Sequence, residues 1–485
     1  MSKVDSVKFR MYNTGSVGDC LLLLFQKNNV TSFSMLIDCG AWSATEADIS
    51  KCVEDINATC NGKIDLLVIT HEHKDHLSGF NQARSIFDKI KIERTWMSWV
   101  ENGNDPVAGI LKEHYTKKLK ELKKSAENSL ARIQKASKNR NIKGADKRLE
   151  NSKKNLEQTL ESIAFELGLS SHKGVTKNAG KTIADAMKYV KSRKKPDYKN
   201  PGEVITNLKG AEGIKFYVLG PPKDEEQALL KKDSVKDEMY HFALSPDTLK
   251  LSAARKIFTT GIHLADNASP FNEKYFMTGK EKTDFDREYN SPELKWRQIE
   301  DDLDGAEMAL TKLINTMVNN TSLALAIEFE DSGNVILLPA DAQSGNWMSW
   351  HSPQVSKKLK SKGGKSTEEL LQNTVFYKVG HHGSHNGTAS VHGLDMMKHN
   401  KLVAFMPLVQ ESIPEQWGGA DNFPAEKLYD ALIEKTKGRL VRTDEGLVAH
   451  AKAAKLRKSL PAADAKELKA NFKKDALYCE YVIRQ

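Results

Sequence analysis

Short apolar runs, each bounded by polar residues or glycine, recur along the chain and predict buried β-strands. In the first 100 residues these runs lie at 7–11, 20–25, 34–40, 66–69 and 91–100. In the rest of the chain they lie at 213–222, 319–329, 334–339, 375–379, 402–406 and 478–483. Segments with the apolar spacing of helices, at 80–87 and 424–435, lie between some of them. The pattern predicts an α/β fold.

A different periodicity begins after residue 110. Apolar residues recur from Leu111 to Ile133 at intervals of three and four, which predicts one face of a long helix. A polar break at 139–144 is followed by similar spacing from Leu149 to Leu167. Two such helices joined by a polar turn predict an antiparallel helical hairpin, inserted between strands of the α/β fold. We call residues 111–167 the arm.

The arm is strongly basic. Between Lys112 and Thr159 there are 15 Lys and Arg residues against six Asp and Glu, a net charge of +9 that equals the charge of the whole chain. The lysines either keep a solvated coiled coil in solution or bind phosphates or a protein partner. The one-sided sign favours binding.

Composition limits the compartment and the class of protein. No apolar run approaches the 18 residues of a membrane span, and the N-terminus lacks the apolar core of a signal peptide. Five scattered cysteines without close spacing predict reduced thiols in a cytoplasmic protein. The charged segment 223–318 is expected to be a second, mostly helical insertion. Its isolated His241 and His263 are expected to be structural.

The most informative motif follows the fourth apolar run and lies at 71–76. His71 and His73 alternate, so in an extended loop they point the same way and can bind one cation, whereas Asp75 and His76 can turn toward a second. Imidazole nitrogens with a carboxylate suit zinc, manganese or iron. Three of the chain's 14 histidines fall within these six positions, which favours a metal site over a polar surface loop.

Two later apolar runs also lead into candidate ligands. The predicted hairpin at 319–339 ends in Ala340-Asp341-Ala342, and the run at 375–379 leads into His381-His382-Gly383-Ser384. An aspartate after a strand is commonplace on its own, so a role for these residues depends on their match to the pattern of a known family.

Together these motifs resemble the metallo-β-lactamase superfamily, and within it the ComEC/Rec2-type branch of DNA-uptake nucleases, here in a soluble stand-alone form. The matching features are HxHxDH at 71–76, Asn-x-Ser-Leu followed by a hairpin and Asp-Ala, and Lys-x-x-His-His-Gly-Ser at 378–384. The resemblance covers roughly 7–100, 213–222, 319–345 and 375–446. It implies an αββα sandwich with a binuclear metal site at one edge.

The resemblance also implies roles for individual residues. Two divalent cations are expected, zinc first and manganese as the alternative, with Asp341 bridging them. The expected ligands are His71, His73, Asp75, His76, Asp341 and His382. Asp75 is also expected to orient the nucleophile, and His381 to act on the substrate phosphate or the leaving oxygen; the reverse assignment of His381 and His382 stays open. Lys378 and Ser384 are expected to bind substrate, and Asp19 and Asp38 to brace loops.

Two features depart from the family pattern. No residue of 77–340 matches the additional metal-binding histidine of most binuclear members, so the first cation would be held by His71, His73 and Asp341, with water or His381 completing the site. Phe423-Pro424 stands where the branch usually has histidine-proline. A histidine on the substrate side is therefore expected to be missing.

The predicted organisation is a sandwich interrupted by two insertions. The expected parts are the first half of the sandwich at 1–105, the basic hairpin insertion at 106–200, a sandwich strand at 201–222, the second insertion at 223–318, the second half at 319–450, and a basic helix with a short strand at 451–485.

The expected function is a metal-dependent nuclease or phosphodiesterase that acts on nucleic acid, DNA before RNA, in DNA processing or bacterial defence. The protein is not expected to bind a membrane or to lie in an oxidising compartment. The arm is expected to allow contact with a protein partner or self-association. One alternative is a small-molecule hydrolase resembling phosphocholine esterases, lactonases or thioesterases. The other is a partner-docking scaffold, which would need no full set of metal ligands.

Overall fold

A computed structural model describes residues 2–138, 182–223, 318–414 and 419–485 of the 485-residue chain, together with four isolated positions. These positions are Lys153, Glu157, Leu160 and Met239.

The chain divides into two compact units. The first comprises Met1–Lys120, Glu161–Phe242 and Thr316–Gln485, and every described strand belongs to it. The second comprises Glu121–Leu160 and Ala243–Asn315. Of this second unit the structure describes the end of one helix and three of the isolated positions.

The first sheet has eight strands and contains both the N-terminal and the C-terminal strand. In spatial order they are β17 (Phe472–Lys474), β18 (Tyr478–Arg484), β1 (Ser6–Tyr12), β2 (Leu21–Lys27), β3 (Val30–Ile37), β5 (Leu66–Ile69), β7 (Thr95–Ser98) and β8 (Asp197–Lys199). Neighbours are antiparallel from β17 to β3 and parallel from β3 to β8. A separate parallel pair is formed by β4 (Lys63–Ile64) and β6 (Lys91–Ile92).

The second sheet also has eight strands. In spatial order they are β16 (Gly446–Leu447), β15 (Leu440–Arg442), β14 (Val403–Met406), β13 (Thr374–Lys378), β12 (Val335–Leu338), β11 (Ala324–Phe329), β10 (Ile214–Gly220) and β9 (Val204–Ile205). The strands from β15 to β12 run parallel, and the remaining pairs are antiparallel. Each sheet therefore has a parallel part whose carboxyl ends share one edge.

The main core lies between the two sheets. One continuous apolar cluster contains side chains from both, and aromatic rings meet across it: the ring centroids of Phe9 and Phe405 are 5.5 Å apart, and those of Phe25 and Phe216 are 5.8 Å apart. Full burial of each such side chain contributes about 1.5–3 kcal/mol. Because alternate side chains of a strand point to opposite faces, the other face of each sheet needs its own cover.

Helices provide that cover. The first sheet packs against α1 (Glu46–Thr59), α2 (Lys74–Gln82), α3 (Arg84–Phe87) and α5 (Ile183–Arg193). The second packs against α6 (Ser344–Trp350), α7 (Pro353–Ser361), α8 (Thr367–Gln372), α9 (Glu426–Lys435) and α10 (Ala451–Lys458). Leu468 of α11 (Ala462–Asn471) joins the core between the sheets. The predicted α/β class is confirmed, with helices outside two facing sheets.

The arm is described in part. Its first predicted helix is present as α4 (Pro106–Lys138), whose N-terminus is capped by Asp105: its carboxylate accepts hydrogen bonds from the amides of Val107 and Ala108. Of the second predicted helix only the isolated positions from Lys153 to Leu160 are described, and they are helical. The rest of the arm lies outside the described residues, as do the second insertion (apart from its two ends and Met239), His241 and His263.

Other features bear on the sequence predictions. β8 lies inside the predicted insertion 106–200 yet pairs with β7 of the first sheet. The predicted short last strand is β18, which lies between β17 and β1. All five cysteines are buried free thiols. No helix in the described ranges is long and apolar enough to cross a membrane.

Candidate metal centre

The predicted ligands come from loops at the carboxyl ends of parallel strands in both sheets. The motif at 71–76 follows β5 and runs into α2; Asp341 follows β12; and His382 follows β13. Asp38 follows β3, the parallel neighbour of β5. Residues far apart in sequence are therefore brought together because both sheets present the same kind of edge.

Four of the six predicted ligands form one buried cluster. One ligand atom from each of Asp75, His76, Asp341 and His382 lies within 4.8 Å of the others. Nε2 of His76 is 3.2 Å from Oδ2 of Asp341, and Nε2 of His382 is 3.0 Å from Oδ2 of Asp75. All four residues are at most 5% exposed. Buried charges at such distances require pairing with one another or with a cation.

The two histidines of the cluster are oriented by hydrogen bonds on their outer sides. Nδ1 of His76 donates to Oδ2 of Asp38 at 2.8 Å, and Nδ1 of His382 donates to the carbonyl of Pro407 at 2.8 Å. With Nδ1 used in this way, Nε2 of each ring faces the cluster. An outer hydrogen bond that fixes the ring and its tautomer is typical of metal-binding histidines.

His71 and His73 lie beside the cluster and contact each other. Nε2 of His71 is 3.1 Å from Nδ1 of His73, and the ring centroids of His71 and His76 are 4.1 Å apart. Nδ1 of His71 is 3.0 Å from Oγ1 of Thr70, whose hydroxyl donates to Asp38. Among the described residues, the buried Nε2 of His73 has no hydrogen-bond partner. That nitrogen is a donor atom left available for a cation.

The electrostatics of the cluster favour shared protons when no cation is bound. Burial lowers the pKa of His71 well below its ordinary value and that of His73 to about 4. Burial also opposes charge on His76 and His382, but the neighbouring carboxylates, Asp341 first among them, together outweigh it and raise the pKa of both.

The two carboxylates of the cluster shift in the opposite direction. Burial acts to raise the pKa of Asp75 and Asp341, but the neighbouring basic groups, His76 first among them and then His382, together outweigh it and hold both below the ordinary value. The cluster thus keeps its carboxylates ionised, and divalent cations could replace the protons of its histidines.

The backbone at these loops is held in a costly conformation. Asp38, Ala340, His381 and His382 have φ angles of 53°, 55°, 45° and 50°, in the left-handed region. For residues with a side chain this region costs about 1–3 kcal/mol each, and such strain collects at functional sites. Packing elsewhere in the two sheets must supply the energy that maintains this conformation.

Close backbone packing fixes the loop after β3 against α2. A Cβ on Gly40 would lie 2.5 Å from the carbonyl carbon of His76, so only glycine fits there. The amide of Cys39 donates to the carbonyl of His76 at 2.9 Å, and that of Asp19 to the carbonyl of Asp75 at 2.9 Å. The start of α2, which carries two ligands, is held from both sides.

Asp19 and Asp38 contact residues of the loops that carry the candidate ligands, in agreement with the expected role in bracing loops. Asp38 accepts from His76 and Thr70, while Asp19 pairs with Lys378 at 2.6 Å. Asp19, Asp38 and His76 also form a second group of ligand atoms within 4.8 Å of one another. In this second group the ammonium group of Lys378 already pairs with Asp19 and supplies a positive charge.

The predicted substrate-side residues lie in different surroundings. His381 is half-buried and outside the four-residue cluster; its Nε2 is 3.2 Å from the amide nitrogen of Asn319 and its Nδ1 is 3.0 Å from Oδ1 of Asn386. The hydroxyl of Ser384 donates to the same oxygen of Asn386 at 2.9 Å. Lys378 is only 1% exposed. The substrate-binding roles of Lys378 and Ser384 remain predictions.

Some positioning residues escape analysis of the sequence alone. Thr70 directly precedes the first motif but carries no metal-ligand chemistry. Asn319 and Asn386 could be found only through their contacts with His381. Asn320, part of the Asn-x-Ser-Leu match, accepts from the amides of Gln343 and Asn346 at 3.2 Å each, which fixes the start of α6 just after the loop of Asp341.

An ionic network connects the first motif with the base of α4. Nζ of Lys112 lies 2.7 Å from Oε2 of Glu101 and 3.3 Å from Oε1 of Glu72, the residue between the two alternating histidines. Lys191 of α5 also reaches Glu101, at 3.5 Å. Glu101 is nearly fully buried, so its charge depends on these two lysines.

The donor set fits divalent transition metals. Imidazole Nε2 atoms and carboxylate oxygens converge without a thiolate, outer hydrogen bonds orient the rings, and His73 has a buried nitrogen with no partner in the described part of the chain. Searches against family models, curated proteins and solved structures found no match to this chain. The resemblance to a known family therefore rests on the motifs alone.

Proposed function

We propose that the protein is a metal-dependent hydrolase that cleaves phosphodiester bonds in nucleic acid, DNA before RNA, using two divalent cations, zinc or manganese. The observation that carries this proposal is the buried cluster of Asp75, His76, Asp341 and His382, with His71 and His73 beside it. The motif resemblance to the ComEC/Rec2-type branch of the metallo-β-lactamase superfamily supports the same reaction class.

The chain's own residues would divide the work in the following way. One cation would be held by His71 and His73, and the other by Asp75, His76 and His382. Asp341 would be a ligand of both. A pair of such cations supplies Lewis acidity, which acidifies water and stabilises charge on phosphoryl oxygens. Asp38 keeps the ring of His76 oriented, and Asp75 would orient the water nucleophile.

His381 would act on the substrate side. Asn386 accepts a hydrogen bond from its Nδ1, and Asn319 donates one to its Nε2, so both ring positions are fixed while the side chain stays half-buried. Burial lowers the pKa of His381. To contact a scissile phosphate, the ring would have to exchange one of these partners for the substrate. To protonate the leaving oxygen, it would first have to take up a second proton, which burial opposes.

The preference for nucleic acid rests on charge. The net charge of +9 between Lys112 and Thr159 begins on α4, whose base is tied to the first metal motif through Lys112 and Glu72. Binding along a phosphate backbone releases condensed counterions, so a basic helix supplies affinity that does not depend on base sequence. A small-molecule hydrolase would have no use for such a surface.

The test combines metal analysis with substrate profiling. Protein purified without added metal should contain, or take up on reconstitution, about two zinc or manganese ions per chain, and should cleave single- or double-stranded DNA. Asp341→Asn should lose both properties, whereas His450→Ala, an exposed histidine elsewhere on the chain, should keep them. Bound metal with hydrolysis of lactones, thioesters or phosphocholine esters alone would refute the nuclease assignment, and failure to bind metal would refute the hydrolase.

A further inference from the structure

Lys378 is a lysine whose environment does not suit substrate binding. It is the last residue of β13 and is 1% exposed. A buried ammonium group is tolerated only when it is paired and hydrogen-bonded. Its surroundings therefore define what it does.

All three hydrogen-bond donors of this ammonium group have acceptors. Nζ of Lys378 lies 2.6 Å from Oδ2 of Asp19, 3.3 Å from the carbonyl of Ala340 and 3.5 Å from Oδ1 of Asp341. A lysine has three N–H donors, so none remains for a substrate. Because Lys378 is only 1% exposed, bulk water has little access to these bonds.

The two oxygens of Asp341 are used differently. Oδ1 faces Lys378, whereas Oδ2 lies 3.2 Å from Nε2 of His76 and 3.5 Å from Nε2 of His382. The preceding residue, Ala340, has a left-handed backbone, and its carbonyl is one of the acceptors of Lys378. Lys378 therefore contacts both Ala340, whose backbone is strained, and the carboxylate of Asp341, whose position depends on that backbone.

Lys378 also sets the charge of the centre. Among the described residues of the centre, the buried ionisable groups apart from histidines are four carboxylates and one ammonium group, which give a formal charge of −3 when all are ionised. These groups are Asp19, Asp38, Asp75, Asp341 and Lys378. Two divalent cations would bring +4 and leave one positive charge, which is suited to an anion such as a phosphodiester. Without Lys378 the same cations would be neutralised in full.

We propose that Lys378 is a positioning residue of the metal centre: it holds Asp19, aims Oδ2 of Asp341 at the histidines and leaves the loaded centre with one positive charge. This inference rests on the proposed function, because it assigns a role in the same site. It differs from the role in substrate contact expected from the motif alone.

The test uses Lys378→Met, which keeps the length of the side chain and removes its charge. Because this variant leaves Asp19 buried without its cation and can fail to fold, the double variant Lys378→Met/Asp19→Asn is measured beside it. Lys357→Met, at an exposed lysine of α7, is the matched control. Zinc binding is measured by calorimetry on metal-free protein, and inorganic phosphate binding on zinc-loaded protein.

We expect the double variant to fold and to bind its more weakly held zinc ion at least tenfold more weakly than the wild type. Because it loses one positive and one negative charge, the formal charge of its centre stays at −3, and its phosphate affinity with saturating zinc should stay near that of the wild type. Lys378→Met alone brings the charge to −4 and should bind phosphate at least tenfold more weakly. With a small chromogenic phosphodiester, kcat should fall more than KM rises. Unchanged zinc affinity in the double variant would overturn the proposal, as would a raised KM with unchanged kcat and metal content. An equal loss of phosphate affinity in the single and the double variant would refute the charge argument. If the wild type binds zinc in a manner that depends on Lys378 but cleaves no phosphodiester, the proposed function fails and the positioning role stands.

Discussion

Asp38 offers the sharpest test of how this centre is held together. Its carboxylate accepts three hydrogen bonds: from the amide of Thr70 at 2.9 Å, from the hydroxyl of Thr70 at 2.6 Å and from Nδ1 of His76 at 2.8 Å. Asp38→Asn keeps the size of the side chain but offers one oxygen in place of two. Its NH2 group must therefore face at least one of these donors.

The magnitude follows from these three bonds. A buried donor left without an acceptor costs about 1–3 kcal/mol, and hydrogen bonds to an ionised acceptor are stronger than neutral ones. We expect metal-free Asp38→Asn to lose about 2 kcal/mol of its free energy of unfolding. Loss of an outer partner of a metal-binding histidine typically weakens metal affinity 10- to 100-fold, which corresponds to about 1.4–2.7 kcal/mol.

A matched control lies at the opposite end of β5. Asp65 accepts from the amide and the hydroxyl of Ser34 at 3.0 and 3.1 Å, much as Asp38 accepts from Thr70, but it contacts no histidine in the described residues. Asp65→Asn should lower the free energy of unfolding and leave zinc affinity unchanged. Denaturant unfolding of metal-free protein and competition with a zinc-binding dye measure the two effects. Zinc affinity of Asp38→Asn within twofold of the wild type would refute the reasoning.

Three further predictions follow from the site and the arm. His382→Ala should lose about one metal ion per chain, whereas His381→Ala should keep its metal and lose most turnover; opposite metal contents in elemental analysis would reverse the assignment. Shortening the arm between Leu119 and Leu160 should spare the hydrolysis of a small phosphodiester but weaken DNA binding and flatten its log-log salt dependence, by about one unit for each phosphate that the arm no longer neutralises; an unchanged salt slope would exclude the arm as a nucleic-acid surface. His73 has a pKa of about 4 when folded and about 6.5 when unfolded, so the unfolded chain binds its proton first and the metal-free protein loses up to about 3 kcal/mol from this group as the pH falls from 6.5 to 4. His73→Gln should be less sensitive to acid by that amount in denaturant unfolding at both pH values, and equal pH dependence would contradict the pKa.

Local sequence was enough to predict most strands and the order of the candidate ligands. The predicted runs at 66–69, 334–339 and 375–379 correspond to β5, β12 and β13, whose ends lie within one residue of the prediction, and each leads into a predicted ligand loop. This works because a buried strand in a parallel sheet needs a short continuous apolar run, which is visible in the residues themselves. The first helix of the arm was also predictable, because the spacing of three and four residues between its apolar side chains can be read from the segment itself.

Which residues meet was decided by the tertiary structure. Lys378 and Asp19 are separated by 359 positions in sequence, and their buried ion pair exists only because β13 and the turn before β2 reach the same edge. His381 and His382 both have left-handed backbone angles, and packing brings the ring of His382, but not that of His381, into the four-residue cluster. Burial, which sets the pKa of each group and the need for a partner, is a property of the packed sheets and not of any one segment. The sequence by itself therefore determined the candidate ligands, and packing decided which charges face one another.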